Sequence, residues 1–265
     1  MTLSIGKAWE ETSAFLAREG RLVAPVALAT FAFPATLAGW AYPGNPGGGG
    51  AGWLLLLVML VALVGQMTVV QLVNGWRGSI GQAISNAGRC LPKLLGALII
   101  AFLPLMLVAI VGMGVSLTSA GITDPATLTP EMIAKLPYVG WLLLFVTLFL
   151  IIVGVRLFPI AAIAVSEPLG AIKLLKRSWI LTNGGFWRLL VLALLLGIVA
   201  VVLDLAVTAV VGSIVTLAVG EPAAFNVSAL LIALVSGLVG AIVSTVSAAM
   251  AGRVYVHLSA QPSVP

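Results

Sequence analysis

Long apolar stretches separated by short polar segments make up most of the chain. A helix needs about 20 mostly apolar residues to cross the hydrocarbon core of a bilayer. Six stretches meet this length, at residues 22–41, 52–73, 94–117, 138–165, 186–219 and 227–254. The fifth is too long for a straight perpendicular crossing, so we expect it to tilt, kink or extend beyond the bilayer. The pattern predicts an all-α, polytopic membrane protein with six transmembrane helices in a single membrane domain, residues 1–265.

A short basic, amphipathic segment precedes each odd-numbered apolar stretch. These segments begin alike, with SIGKAW at 4–9, SIGQAI at 79–84 and PLGAIK at 168–173. A basic amphipathic helix lies in the membrane interface with its apolar side toward the acyl chains. We therefore predict short cytoplasmic interfacial helices, and three parallel repeat units of interfacial helix plus hairpin at 1–76, 77–166 and 167–257.

Composition excludes a soluble protein and offers little for catalysis. Hydrophobic residues make up 61% of the chain and charged residues 8%, whereas soluble domains carry about 25% charged residues. Cys90 is the single cysteine and His257 the single histidine, and no Cys, His and acidic residues have metal-ligand spacing. The sequence therefore predicts no metal, no cofactor and no enzymatic activity.

The basic residues are concentrated on one side of the predicted topology. Of the residues near the ends of the spans, eleven basic ones fall on the side of the termini and only Lys135 on the other, beside Asp124, Glu131 and Glu221. Basic segments resist translocation, so both termini are predicted to be cytoplasmic. Anionic leaflet lipids then account for the pI of about 9.8 without nucleic acid.

Residues 156–188 read RLFPIAAIAVSEPLGAIKLLKRSWILTNGGFWR. This segment resembles the membrane-domain family named after bacterial glycerophosphoryl diester phosphodiesterases. The resemblance rests on Arg156, Glu167, Gly170, Arg177, Ser178, Trp179, Leu181, Thr182, Gly184 and Trp187. It implies a bacterial inner membrane and a lipid-related setting, but no activity, because the activity of that family belongs to a separate catalytic domain.

Arg156 and Asp204 are the two ionisable residues well inside predicted spans. A charge at mid-bilayer costs at least ~2.5–3.5 kcal/mol on insertion scales, so each needs a partner or a wet cavity. One interpretation is a structural ion pair, or Arg156 reaching the interface and Asp204 near the external face. The other is an anion or headgroup site at Arg156 with Asp204 as a proton or cation site. Under the repeat, Gln66 would be equivalent to Arg156 and face a shared interior; the other interpretation of Gln66 is a hydrogen bond between helices.

Two further clusters have structural and functional interpretations. Lys173, Lys176 and Arg177 are either a topology signal with leaflet contact or a site for phosphorylated lipids. Ser178, Thr182 and Asn183 fit a cap and turn better than a catalytic set, since no histidine is near to act as base. Small residues recur every four positions along the last span, at Ser236, Gly240, Ser244, Ala248 and Gly252, which predicts close helix packing within the monomer or a homo-oligomer.

The leading functional hypothesis is a non-enzymatic membrane module in envelope or lipid homeostasis, acting through anionic lipids or a protein partner. The alternative is a small transporter or channel that uses Arg156 and Asp204, which predicts a polar cavity joining the two residues. A membrane enzyme acting on a lipid headgroup ranks third.

Overall fold

The computed structural model describes residues 5–44, 51–121 and 136–260, and these residues contain helices and no strands. The helices are α1 (Ile5–Ala27), a π-helical segment (Leu28–Ala32), α2 (Phe33–Ala41), α3 (Ala51–Val73), α4 (Ile80–Ser119), α5 (Val139–Leu157), α6 (Ile160–Ser166), α7 (Ala171–Asn183), α8 (Phe186–Val219) and α9 (Val227–Ser259). Residues 45–50 of the Gly-rich connection between the first two spans, together with Asp124, Glu131 and Lys135, lie outside the described residues.

Six helical stretches in the described chain are long and apolar enough to cross a membrane. They are Gly6–Ala41, Gly52–Val73, Ile80–Ser119, Val139–Ser166, Phe186–Val219 and Val227–Ser259. This confirms the prediction of an all-α, polytopic membrane protein. The predicted bounds of the fifth span, 186–219, coincide with those of α8, where Gly185 and Gly220 flank the apolar run.

The first span is continuous from α1 through the π-helical segment to α2. Proline has no N–H to donate, and its ring clashes with the carbonyl four residues earlier in a regular α-helix. Pro34 follows the π-helical segment directly, so the wider turns lie where that carbonyl has to be accommodated. Thr30 within this segment donates its hydroxyl to the carbonyl of Val26 at 2.8 Å.

The amphipathic segments differ from the predicted separate helices in two of three cases. The first is part of α1, and the second forms the start of the 40-residue α4. Both helices continue into the apolar run that follows, although Pro25 lies inside α1 and Pro92 inside α4. A capping box between Ser79 and Gln82 begins α4. The third is the separate helix α7, because Gly184 and Gly185 interrupt the chain before α8.

The fourth span is divided where the sequence pattern predicts one continuous stretch. Helix α5 ends at Leu157, and α6 begins after Pro159. Pro159 cannot continue the helical hydrogen bonding, so a turn forms between the two helices. This turn brings the end of α5 close to the C-terminal half of α7.

Helix α9 is the centre of the bundle and packs against α1, the π-helical segment, α2, α3 and α8. Small residues are buried every four positions along it, at Ala229, Ala233, Gly237, Ala241, Thr245 and Ala249. Between residues 236 and 245 the buried positions lie one residue beyond the predicted ones, because Ser236, Gly240 and Ser244 line a cleft. A Cβ on Gly237 would lie 2.6 Å from Oγ1 of Thr36, so the helices approach at backbone distance.

The start of α1 and the end of α9 meet at one end of the bundle. His257 Nε2 lies 3.2 Å from Glu11 Oε2. At the opposite end, Trp40 donates its indole N–H to the carbonyl of Asn226 at 3.0 Å. We call the end where α1 begins and α9 ends the basic end, because it contains Lys7, Arg18, Arg77, Lys93, Lys173 and Arg253.

Candidate functional site

Helix α7 is attached to the bundle along one narrow stripe. Leu174, Ser178 and Thr182 are all 0% exposed and recur at the four-residue spacing of one helix face. Ser178 donates its hydroxyl to the backbone carbonyl of Arg156, at the end of α5. These buried positions fix which side of α7 faces the protein.

Arg156 holds the C-terminal end of α7. Its Nη1 donates to the carbonyl of Trp179 at 3.1 Å and to Thr182 Oγ1 at 3.2 Å, and its Nη2 donates to Asn183 Oδ1 at 3.3 Å. The guanidinium carbon lies 5.0 Å from the ring centroid of Trp179 and 5.2 Å from that of Phe186. A cation at a helix C-terminus complements the unpaired carbonyls and the helix dipole. The contacts of Arg156 are therefore those of a positioning residue.

Glu167 connects three helices at the basic end. One of its carboxylate oxygens, Oε1, accepts from Arg177 Nε at 3.2 Å and from the Tyr255 hydroxyl at 3.0 Å. Its backbone carbonyl accepts from Lys93 Nζ at 3.2 Å. Gly170 follows as the N-cap of α7, in extended conformation and without a side-chain cap. Glu167 thus fixes the start of α7 as Arg156 fixes its end.

The outer face of α7 combines basic and apolar side chains. Lys173 and Lys176 are exposed, and so are Ile172, Trp179, Ile180 and Trp187, with Ile172 72% and Trp187 75% exposed. Arg177 is turned inward to Glu167. The basic cluster of the sequence therefore divides into two outward lysines and one structural arginine. We call the outward residues Ile172, Lys173, Lys176 and Ile180, together with Trp187 at the start of α8, the α7 face.

Asp204 lies in different surroundings from Arg156. It is exposed near the middle of α8 and lines two adjoining clefts, of about 260 and 710 Å³, together with Ser236. Arg156 lines neither cleft, and no ion pair in the described part of the chain joins the two residues. The ion pair, one of the interpretations of these two charges, is therefore not formed among the described residues, and neither cleft at Asp204 reaches Arg156.

Gln66 also lies apart from Arg156. It is half-buried and lines a cleft of about 290 Å³ between α3 and α9. Gln71, one and a half turns further along, is the buried glutamine: its Nε2 donates to the carbonyl of Ala83, and its Oε1 accepts from Asn86 Nδ2 at 2.8 Å. The predicted shared interior of Gln66 and Arg156 is not formed.

The three amphipathic segments each dock on the end of an even-numbered span, and the first of them docks on the last span, α9. Thr182 of α7 contacts Arg156 of α5, Asn86 of α4 contacts Gln71 of α3, and Glu11 of α1 contacts His257 of α9. Glu11 and Asn86 hold the same position relative to the SIG motif. The second and third segments thus contact the span before them in the chain, and the first segment contacts the last span, which closes a ring of contacts. The three-unit repeat itself stays a prediction.

This architecture defines a multi-pass helical membrane protein whose amphipathic segments are tied together by polar contacts at one end. The chain belongs to the DUF7847 family, described as a domain of unknown function, whose model matches residues 3–258. No curated protein and no solved structure matches the chain. The resemblance of residues 156–188 to the diesterase-linked membrane domains therefore stays an expectation.

Proposed function

We propose that the protein is a non-enzymatic module of a bacterial inner membrane, with both termini in the cytoplasm, that acts in envelope or lipid homeostasis by binding anionic lipids. The observation that carries this proposal is the docking of α7. Its inner stripe is buried against α4 and α5, while Lys173 and Lys176 remain exposed beside Ile172, Ile180 and Trp187.

An amphipathic helix that is already docked on the protein binds an anionic leaflet at a lower entropic cost than a free one. The contacts of Arg156 and Glu167 fix α7 before any lipid arrives, so binding does not have to order the helix. Each lysine close to an anionic surface gains roughly 1 kcal/mol. Trp187 and the isoleucines favour the interfacial depth at which these lysines meet headgroups.

A matched pair of double variants tests the proposal. Lys173→Gln/Lys176→Gln removes two positive charges from the α7 face, and Arg77→Gln/Arg89→Gln removes two from other exposed positions at the basic end. Lipids that co-purify in mild detergent are identified by native mass spectrometry. We expect the first variant to lose enrichment of anionic lipid by roughly 30-fold, from about 2 kcal/mol, and the second to lose little.

Equal losses in both variants would mean general attraction to charge and would contradict a site on the α7 face. A third variant, Arg156→Ala, should reproduce the loss without removing a surface lysine, because α7 is no longer held. Loss of a stoichiometric protein partner, with lipid unchanged, would identify the α7 face as a protein-docking surface instead.

A small transporter or channel is the second candidate, now based on Asp204 without Arg156. The observation behind it is a carboxylate near mid-span with no hydrogen-bond partner among the described residues, in clefts that also contain Thr208, Ser236 and Ser244. Carboxylates inside membranes mark proton or cation pathways. Proton or cation flux into proteoliposomes that Asp204→Asn abolishes would support this candidate, and no flux with the unmodified protein would exclude it.

A further inference from the structure

A separate cleft lies at the basic end, and neither α7 nor Asp204 lines it. It has a volume of about 310 Å³ and lies between α1, the end of α3 and the end of α9. Its polar lining consists of Arg18, Glu19, Asn74, Trp76 and Arg253. Leucine, valine and phenylalanine side chains of α1 and α3 form the remainder of the wall, and Leu22 among them is 49% exposed.

Arg253 is the unusual residue of this cleft. It is half-buried, its Nε is inaccessible to water, and that atom has no hydrogen-bond partner. The Nε of Arg156 is buried and unpaired in the same way, but its terminal nitrogens donate to three acceptors, and Arg177 donates to Glu167. For Arg253 no acceptor is found among the described residues. A buried guanidinium normally has a counter-ion, because burial removes its hydration.

Asn74 is a second residue of this cleft with a buried polar atom that lacks a hydrogen-bond partner. Its Oδ1 is buried without a donor, although a guanidinium lines the same cleft. A Cβ on Gly252 would lie 3.2 Å from this Oδ1, so the amide is packed against α9. The two side chains are neighbours that do not satisfy each other, which leaves Arg253 available to a ligand.

The charges in the cleft indicate the class of ligand. Arg18 pairs with Glu19 at 3.1 Å, and the Arg18 side chain is 78% exposed. This pair is neutral overall, so Arg253 contributes one uncompensated positive charge. A phosphodiester carries one negative charge and presents oxygens that accept from a guanidinium fork. A phosphomonoester would bring more negative charge beside Glu19.

We propose that this cleft binds the headgroup of a phospholipid with one net negative charge, with its phosphodiester on Arg253. The exposed Leu22 and the apolar wall place an acyl chain next to the headgroup, which favours a lipid over a soluble phosphate ester. The site is independent of the α7 face, because the two have no residue and no lining helix in common.

The test uses the full-length protein in nanodiscs that contain equal amounts of phosphatidylglycerol, phosphatidylcholine and phosphatidic acid. Bound lipids are counted by native mass spectrometry after partial detergent exchange. We expect Arg253→Gln to reduce retained phosphatidylglycerol on the order of tenfold. Arg21→Gln is the matched control, because Arg21 is exposed on the same end of α1 and does not line the cleft.

Glu19→Gln keeps the proposal testable if Arg253→Gln does not fold. Removing this carboxylate raises the net charge of the cleft by one, so we expect preference to shift from phosphatidylglycerol toward phosphatidic acid. Lys173→Gln/Lys176→Gln should leave the preference at this cleft unchanged, which separates its failure from failure of the α7 proposal.

Three outcomes would overturn the inference. Equal loss in Arg253→Gln and Arg21→Gln would reduce it to general charge attraction. An unchanged preference in Glu19→Gln would show that charge balance does not select the ligand. Displacement of the lipid by equimolar glycerol 3-phosphate would identify a soluble phosphate ester as the ligand instead.

Discussion

At the scale of single residues, Glu167 shows how one carboxylate can organise a membrane-protein end. Its Oε1 accepts from α7 through Arg177 and from α9 through Tyr255, and its carbonyl accepts from Lys93 of α4. Hydrogen bonds to a charged group contribute about 1.5–3 kcal/mol each. The tyrosine hydroxyl is the simplest of these donors to remove without changing charge.

We expect Tyr255→Phe to lower the unfolding free energy by about 1.5–3 kcal/mol, because it removes one donor to a charged acceptor and leaves the ring in place. Cys90 supplies the readout, since it is buried and should react with a thiol-sensitive dye only on unfolding. Tyr138→Phe is the control, at a tyrosine 62% exposed. Equal thermal midpoints for the two variants would contradict a stabilising role for the Tyr255–Glu167 bond.

The sequence identified some of these residues and could not have identified others. Arg156 was visible as a charge inside an apolar run, and Glu167, Ser178 and Thr182 through the resemblance. Lys93 and Tyr255 were not, because they lie 74 and 88 positions from Glu167 along the chain, and no local spacing encodes such a pair. Arg253 was counted only as a topology charge, since its lack of an acceptor is a property of packing.

At the scale of elements, the contact between the π-helical segment and α3 is the tightest glycine-dependent crossing of the first hairpin. A Cβ on Gly65 would lie 2.6 Å from Cβ of Thr30 and 3.2 Å from Cζ of Phe31. Thr30 is held in place by its own bond to the Val26 carbonyl. The helices therefore cannot separate at this point without losing the packing around it.

We expect Gly65→Ala to destabilise the protein by about 1–3 kcal/mol, as overpacking does in a close-packed core. Gly154→Ala in α5 is the matched control, because nothing lies within 4 Å of a Cβ built there, and alanine favours a helix over glycine. Thermal midpoints from Cys90 labelling compare the two. A Gly65→Ala protein as stable as Gly154→Ala would mean that this crossing can widen freely.

The sequence predicted which elements exist better than where they break. All six spans were visible, because length and hydrophobicity alone separate them from loops. The break at Pro159 was missed, since apolar residues continue on both sides of it. The continuity of α1 and α4 was missed because both helices run on through residues that commonly end one, Pro25 and Pro92.

At the scale of the whole molecule, exposed aromatic residues mark both ends of the bundle, Trp179 and Trp187 at the basic end and others at the opposite end. Trp53 and Trp141 are 64% and 74% exposed near the starts of α3 and α5. Phe225 adopts a positive φ of 61° and packs edge-on against Trp40, 5.4 Å away, where the chain turns into α9. Such rings favour the depth of the membrane interface.

Cysteine labelling tests the orientation of the two ends. In a Cys90→Ser background, Ala223→Cys and Ser259→Cys place thiols at exposed positions of opposite ends. The positive-inside bias predicts that a membrane-impermeant maleimide labels Ala223→Cys in intact cells, and Ser259→Cys only after permeabilisation. The reverse pattern would place the basic end outside and would remove the basis of both lipid proposals.

The central position of α9 has a consequence for how the protein is made. The helix that fills the groove between α1, α2 and α3 is the last one in the described chain to leave the ribosome. At ~5–20 residues per second, the first hairpin waits on the order of ten to forty seconds for its packing partner. During that interval Gly39 and the side of the π-helical segment that packs on α9 face lipid or the insertion machinery. We therefore expect packing of the first hairpin to be completed only when α9 is made, with the hairpin sensitive to membrane quality control until then.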